Sequence, residues 1–382
     1  MKRFYLAEST ESYEDKILDN LVMRETPLGF ISVKNAIVLP HRKDYSNTVW
    51  GKGGVIDQSG EYVKESFYRN GWVTFGGYYD YDGKVNVING SAIYLGYFFK
   101  HWGHFLKDII NRMWIILEHY HNEYVVYVGD DDISGNYLEF MKMLGVPEDK
   151  LIRIDKATKF SEIIIPELSY VITEYYSKEY LDIFDRVREN CLSVYSQNQS
   201  EYKNKKIYFT RVAFSQGKRA KEFGEESIKK TFELNGYKIL RPETLSLCEQ
   251  IYIWNNAETI ACINGTIPMN LLFSNGQVKV IVLNKTCNKH LNLLLIEKIK
   301  NIFVTYVDIY DTKHTNKKFS LGTGPFLMRI TNSFTAFCKD SGYELSYENK
   351  GKVFLNLIKF KLIVLKNLMK PTLIRLKRLI KK

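Results

Sequence analysis

The chain of 382 residues contains no uncharged apolar run near the roughly 18–20 residues that a membrane-spanning helix requires. It also lacks a Walker loop, a G-x-S-x-G elbow, an H-E-x-x-H pair and a G-x-G-x-x-G turn. Mononucleotide hydrolysis of the P-loop type, serine-hydrolase chemistry, zinc proteolysis and dinucleotide redox chemistry therefore have no signature here. Cysteine is sparse, with five residues at 191, 248, 262, 287 and 338, and no C-x-x-C occurs. An odd number without paired spacing gives no sign of a disulfide framework or a zinc site, so a reducing cytosol is the expected compartment. The first residues run from Met1 through Lys2 and Arg3 straight to Glu8, Glu11 and Glu14. No apolar leader segment is read there, and no secretory signal is expected.

What is present suffices for two cores. Hydrophobic residues make up 45% and aromatic residues 14% of the chain, which argues against extended disorder. The formal net charge of +11 is concentrated at one end: the segment 349–382 holds nine lysines and two arginines and no acid, and the remainder balances at 43 basic against 43 acidic residues. A nucleic-acid enzyme spreads basic charge along a groove of its body, so no nucleic-acid partner is expected.

Hydrophobic periodicity gives an α/β fold. Residues 1–95 read as short strands and Gly-rich turns, a β-rich N-terminal region packed on the first domain. In 96–197, a helix over 105–120, a buried strand over 124–128, a helix over 133–144 and a strand over 162–166 suggest a parallel acceptor-side domain. After a helix from 179 and a polar stretch to 201, the domain 203–345 alternates strongly. Strands at 206–209, 237–240, 259–263 and 278–283 are separated by helices at 224–235, 246–255 and 268–273. That is the β-α-β series of a doubly wound, Rossmann-like domain, which binds nucleotides at the carboxyl ends of its strands.

The tail 349–382 reads as a pair of basic amphipathic helices broken at Pro371. Lys352, Lys359, Lys366 and Lys370 share one face of the first, and Leu373, Leu376 and Ile380 form the apolar face of the second. Such a segment suits the interface of an anionic membrane. The plainer reading is a terminal helix docked on the protein's own core with a solvated basic face.

Four constellations can carry chemistry. His104, Asp108 and Arg112 are four apart on one helical strip, and a carboxylate so placed suits a general base for an acceptor hydroxyl. An ordinary solvated ion-pair face has the same spacing. Arg211 follows a strand of the doubly wound series, with Lys218 and Arg219 next and Glu225 and Glu226 beyond. Arginine offers bidentate donors to phosphate. Asn264, Gly265 and Thr266 form a turn into a helix with Pro268 in its first turn and Asn270 following, where backbone amides suit a diphosphate. Asp130, Asp131 and Asp132 follow a strand and admit two readings: a divalent-metal site through Asp130 and Asp132, or a helix cap at Asp132, which we prefer.

In order along the chain, these segments resemble glycosyltransferase family 61, found in bacterial capsule and cell-surface polysaccharide gene sets. His104, Asp108 and Arg112 match its helical His-Asp-Arg pattern. Thr210, Arg211, Arg219 and Glu225 match its Ser/Thr-Arg strand end, basic loop and acidic helix start. Pro242, Glu243, Ser246, Glu249 and Gln250 follow the next stretch, and Asn264, Gly265, Thr266 and Asn270 fall on the glycine turn. The resemblance spans about residues 90–285. Three positions depart from it: Asn264 stands for the usual His, Thr266 for Ala and Gly224 for Asn.

The resemblance implies a GT-B-like architecture, two Rossmann-like domains facing a cleft. It implies an inverting transfer from a nucleotide-sugar, usually a UDP-sugar, with no obligatory metal or other cofactor. On this expectation Arg211, Arg219 and the turn at Gly265 hold the donor, with Glu225, Asn264, Thr266 and Asn270 around it. Asp108 takes the acceptor proton and His104 orients or shares it. The acceptor is a glycan or lipid-linked glycan at the cytoplasmic face of a membrane, reached peripherally through the basic tail, and self-association is compatible with all of this. Two alternatives stay open: a metal-dependent transferase using Asp130 and Asp132, and a non-catalytic membrane-bound scaffold of a polysaccharide assembly complex, toward which Asn264 leans.

Overall fold

The computed structural model describes residues 2–13, 16–195, 201–212, 221–315, 321–322 and 324–380. The chain forms two compact units. The first comprises Asp15–Ser196 with Ser246–Ile251, and the second Met1–Glu14, Gln197–Leu245 and Tyr252–Lys382. The segment 1–14 thus belongs with the second unit, because Phe4–Tyr5 pairs in parallel with Val304–Asp308. It is not part of the N-terminal β-rich region.

The first unit is built on a seven-stranded mixed sheet. Four parallel strands form one side, in the order Leu151–Arg153, Tyr124–Gly129, Asn86–Phe98 and Thr158–Pro166. Phe30–Lys34 and Ile37–Arg42 add antiparallel to the last of these, and Lys52–Ile56 pairs with Ile37–Arg42. The early strands therefore extend the same sheet. Its core gathers Val38, Val55, Phe75, Tyr94, Val126, Phe160 and Ile163, all inaccessible to solvent.

The helix expected over 105–120 is divided. An α-helix at Trp102–Lys107 gives way to a 3-10 turn at Ile109–Arg112 and a short helix at Ile115–His119. The helix expected from 133 starts at Asn136, with Gly135 at its N-cap, so Asp132 does not cap it. Cys191 and Cys248 form a disulfide between the Lys178–Tyr195 helix and the start of Leu247–Asn256. Cysteine spacing carries no sign of that bond, since the two residues are 57 apart. Cys262, Cys287 and Cys338 are buried thiols outside this bond.

The second unit carries a six-stranded, fully parallel sheet. Its order is Phe4–Tyr5, Val304–Asp308, Lys279–Asn284, Thr259–Ile263, Lys206–Phe209, Tyr237–Leu240. Apart from the edge strand Phe4–Tyr5, the strand from Lys206 comes first in chain order, the one from Tyr237 lies on one side of it, and the later three extend on the other. The direction of winding reverses between Lys206–Phe209 and Thr259–Ile263, the topological switch point of a doubly wound sheet. The helix Glu225–Leu234 packs Ile228 and Phe232 against Tyr208 and Tyr237, in a core shared with Phe334 and Phe337.

The tail is one helix, Lys350–Ile380, which runs through Pro371 instead of breaking there. Phe360 is buried against Phe223 and Leu327, a contact worth roughly 2–3 kcal/mol. Among the described residues no helix is long and apolar enough to cross a membrane.

Candidate functional site

In the first unit, His104 and Asp108 lie just beyond the carboxyl end of the long strand Asn86–Phe98. Three residues, 99–101, lead from the strand into the helix, and His101 caps it by accepting the His104 amide. Asp108 ends that helix, and its carboxylate is fully enclosed. Its Oδ2 lies 2.7 Å from His104 Nδ1 and 3.4 Å from Lys107 Nζ. Its Oδ1 accepts from the Tyr68 hydroxyl and from Asn70 Nδ2, each at 2.9 Å.

An ionised carboxylate only accepts, so the His104 Nδ1 carries the proton and Nε2 is left as the basic nitrogen. The His104 side chain is 24% exposed, whereas that of Asp108 is at 0%. A carboxylate so enclosed has no room to touch an acceptor. The expected division of labour is therefore reversed: His104 faces outward, and Asp108 fixes its orientation. Rings of Trp50, Phe99 and His101 surround the His104 imidazole at 4.7–5.4 Å between centroids. Burial, with help from His104, lowers the His101 imidazole below its ordinary value. Burial, then Asp108, raises the Tyr68 phenol well above the usual range, which keeps it a donor.

Arg112 shares the sequence pattern but not the site. Its guanidinium is buried and donates to the backbone carbonyls of Pro166, Glu65 and Phe67 at 3.0, 2.8 and 3.0 Å. It fastens three segments together. Asp130 pairs with His41 and Lys43, Asp132 pairs with Arg153 Nε at 3.0 Å, and Asp131 accepts the Lys100 amide at 2.8 Å. Each of the three is engaged by its own partner, and among the described residues no group of three or more His, Cys, Asp or Glu side chains is arranged to hold a metal ion. Ser246 and Glu249 form a reciprocal capping box at the start of the Leu247–Asn256 helix, at 2.9 and 3.2 Å, so that part of the pattern is structural.

In the second unit three neighbouring strands end in a cationic cluster. Arg211 follows Lys206–Phe209, Gly265 follows Thr259–Ile263 and Lys285 follows Lys279–Asn284. Glu222 bridges the two cations, accepting from Arg211 Nε at 2.8 Å and from Lys285 Nζ at 2.7 Å. Gly265 has a φ of +154°, a backbone conformation that L side chains rarely adopt, and it stands beside Lys285 Nζ, 3.7 Å from where a Cβ would lie. Burial would raise the Glu222 carboxyl, but Lys285 and then Arg211 outweigh it and hold it below the usual value. Burial lowers the Lys285 ammonium against the pull of Glu222. Arg211 and Lys285 thus converge on Glu222 at the switch point, where doubly wound sheets bind anionic ligands.

The other residues expected there divide into supports and bystanders. Glu225 is buried at the start of its helix and accepts from the Tyr208 hydroxyl at 3.0 Å, Thr210 Oγ1 at 2.7 Å and the Arg211 amide at 2.9 Å. It sets the Arg211 backbone and does not face outward. Asn264 is also turned inward, donating to Asn284 Oδ1 and accepting from His290 Nδ1, each at 2.8 Å. Asn284 passes the chain on to Asp308 at 2.8 Å.

Gly265 and Thr266 are the half-buried part of the turn. The helix expected after them is present as Ile267–Phe273, of the 3-10 kind with Asn270 buried inside it, so it brings little aligned dipole to a diphosphate. Arg219, with Lys218, lies outside the described residues. A cavity of about 600 Å³ also opens in this unit, between Leu6–Ser9 and Arg329–Ser333, and none of Arg211, Gly265 or Lys285 lines it.

Lys285 and Glu222 escaped the sequence reading, although Lys285 was within its reach: it follows a strand of the same series that singled out Arg211. Tyr68 and Asn70 carry no such signal. They reach Asp108 from about 40 residues away, through the fold alone.

No curated protein matches the sequence significantly. Residues 102–281 match the family model described as Glycosyltransferase 61, a span that contains His104, Asp108, Arg211, Glu222, Glu225 and Gly265. The segment 102–281 is thus a glycosyltransferase family 61 region, and that family is one of sugar transferases.

Proposed function

We propose that the protein transfers a sugar, with inversion, from a UDP-sugar to a hydroxyl of a glycan or lipid-linked glycan in bacterial surface-polysaccharide assembly. The observation that carries this reading is the Arg211–Glu222–Lys285 cluster beside Gly265 at the switch point of the parallel sheet. A nucleoside diphosphate is the leaving group whose charge such a cluster stabilises as it develops. The cations are supplied by side chains, so this reading needs no metal.

In the transfer, the acceptor hydroxyl attacks the anomeric carbon opposite the diphosphate. The new carbon–oxygen bond forms as the bond to the phosphate oxygen breaks, and the hydroxyl proton passes to His104 Nε2. Asp108 holds the imidazolium that results. The partly buried rings of Trp50 and Phe99 beside His104 offer apolar surface to the acceptor.

Thermal stabilisation by a panel of nucleotides and sugar nucleotides tests the donor assignment. A UDP or UDP-sugar shift that survives chelator and disappears in Arg211→Ala supports it. A shift seen only with divalent metal, or silence across the panel, sinks it.

A further inference from the structure

The tail helix Lys350–Ile380 has two apolar faces. One is docked: Phe360 is 2% exposed and packs with Leu357, Ile363 and Val364 on Phe223 and Leu327 of the same unit. Among the described residues nothing covers the other. Leu355, Ile358, Leu362, Leu365 and Met369 recur at alternating spacings of three and four, which at about 3.6 residues per turn puts them on one stripe opposite Phe360. They are 56%, 39%, 60%, 54% and 55% exposed. A monomeric surface rarely leaves so continuous an apolar strip in water.

Charge decides what covers it. Lys352, Lys359 and Lys366 line one flank of the stripe, Lys350 and Lys361 the other, and no acid occurs anywhere from 349 to 382. A second copy laid on the stripe would bring lysines against lysines with no carboxylate to separate them, which disfavours a paired coil. An anionic lipid surface takes both parts at once: the apolar residues enter the acyl boundary, and the flanking ammonium groups reach the phosphates.

We infer that this stripe is the surface by which the protein lies on an anionic membrane, with Phe360 fixing the helix to the second unit so that the stripe faces outward. The helix lies in the membrane plane and does not cross it. The inference stands on the exposed face and its flanking charge, and is independent of the sugar-transfer reading.

Flotation of the full chain with phosphatidylcholine vesicles, with and without phosphatidylglycerol, tests it. The wild type is expected to float with the anionic vesicles only, less so at high salt, since screening weakens charge attraction. Leu362→Glu with Leu365→Glu is expected to cut binding about tenfold or more, and Lys359→Glu with Lys366→Glu to do likewise. The altered leucines are exposed, so the melting temperature of the first variant stays at the wild-type value.

Absence of wild-type binding, equal binding to neutral vesicles, or full binding by the leucine variant would each overturn the inference. So would a dimer in solution that the leucine variant splits without any vesicle binding, which would give the stripe to a second copy. A markedly lower melting temperature of that variant would give the stripe to the chain itself and overturn it as well. Nucleotide-induced stabilisation, measured on the same variants, stays as in the wild type whichever way the flotation falls.

Discussion

The Asp108 carboxylate, with no exposure of its own, lies 2.7 Å from the Nδ1 of the partly exposed His104. Tyr68 and Asn70 bind its other oxygen, so the carboxylate is a fixed acceptor behind the imidazole. The orientation of the imidazole follows from this, and so does the order in which the two residues matter.

His104→Ala removes the base nitrogen and is expected to lower the transfer rate by about a hundredfold or more. Asp108→Asn keeps the shape but reverses the hydrogen bond to Nδ1, so it is expected to impair turnover and move the acid limb of the pH–rate profile. Nucleotide stabilisation stays intact in both. Full activity in His104→Ala would remove His104 from the mechanism.

Lys285→Met strands Glu222 beside a single cation, and breaking a buried pair in this way costs about 3–5 kcal/mol. Adding Glu222→Gln is expected to restore most of that stability without restoring UDP-induced stabilisation. Thermal melts of the single and double variants, with and without UDP, separate the two effects. A double variant that still responds to UDP as the wild type does would exclude Lys285 from the donor site.

Burial, against the hydrogen bonds from Arg211, Thr210 and Tyr208, pushes the Glu225 carboxyl from an ordinary value near 4.5 up to about 7. A raised acid favours the folded state when protonated. Its contribution is fully present below about pH 4.5 and is lost as pH rises through about 7, on the order of 3 kcal/mol in all. Glu225→Gln cannot titrate, and its unfolding free energy, followed by denaturant melts across that window, is expected to be flatter than that of the wild type.

The Cys191–Cys248 bond closes a loop of 57 residues, which by chain entropy stabilises the fold by at most about 4 kcal/mol. Thiol titration of the denatured, non-reduced protein is expected to find three free cysteines, and five after reduction. Reduction is also expected to lower the melting temperature. Five reactive thiols without reductant would show the bond is absent in solution.

Local sequence determined a large part of this protein. The strand series from 206 to 283, its helices and the place of Arg211 at a strand end were legible because hydrophobic period and turn residues act over a few neighbours. The charge asymmetry of the tail was legible for the same reason. What the sequence left open is decided by contacts between distant segments. The helix around Asp108 is cut at that residue because Asp108 is held by His104 on its own helix and by Tyr68 and Asn70 from another element. Arg112 is a staple because three carbonyls from elsewhere converge on it, and Glu222 is a bridge only once Lys285 arrives from the adjacent strand. Pro371 was read as a break, yet the helix continues through it, since a proline penalty of about 3 kcal/mol is a local term that a long helix can absorb. Periodicity assigns residues to faces. Which face is buried, and which residue touches the reacting atoms, depends on burial and pairing that exist only in the folded chain.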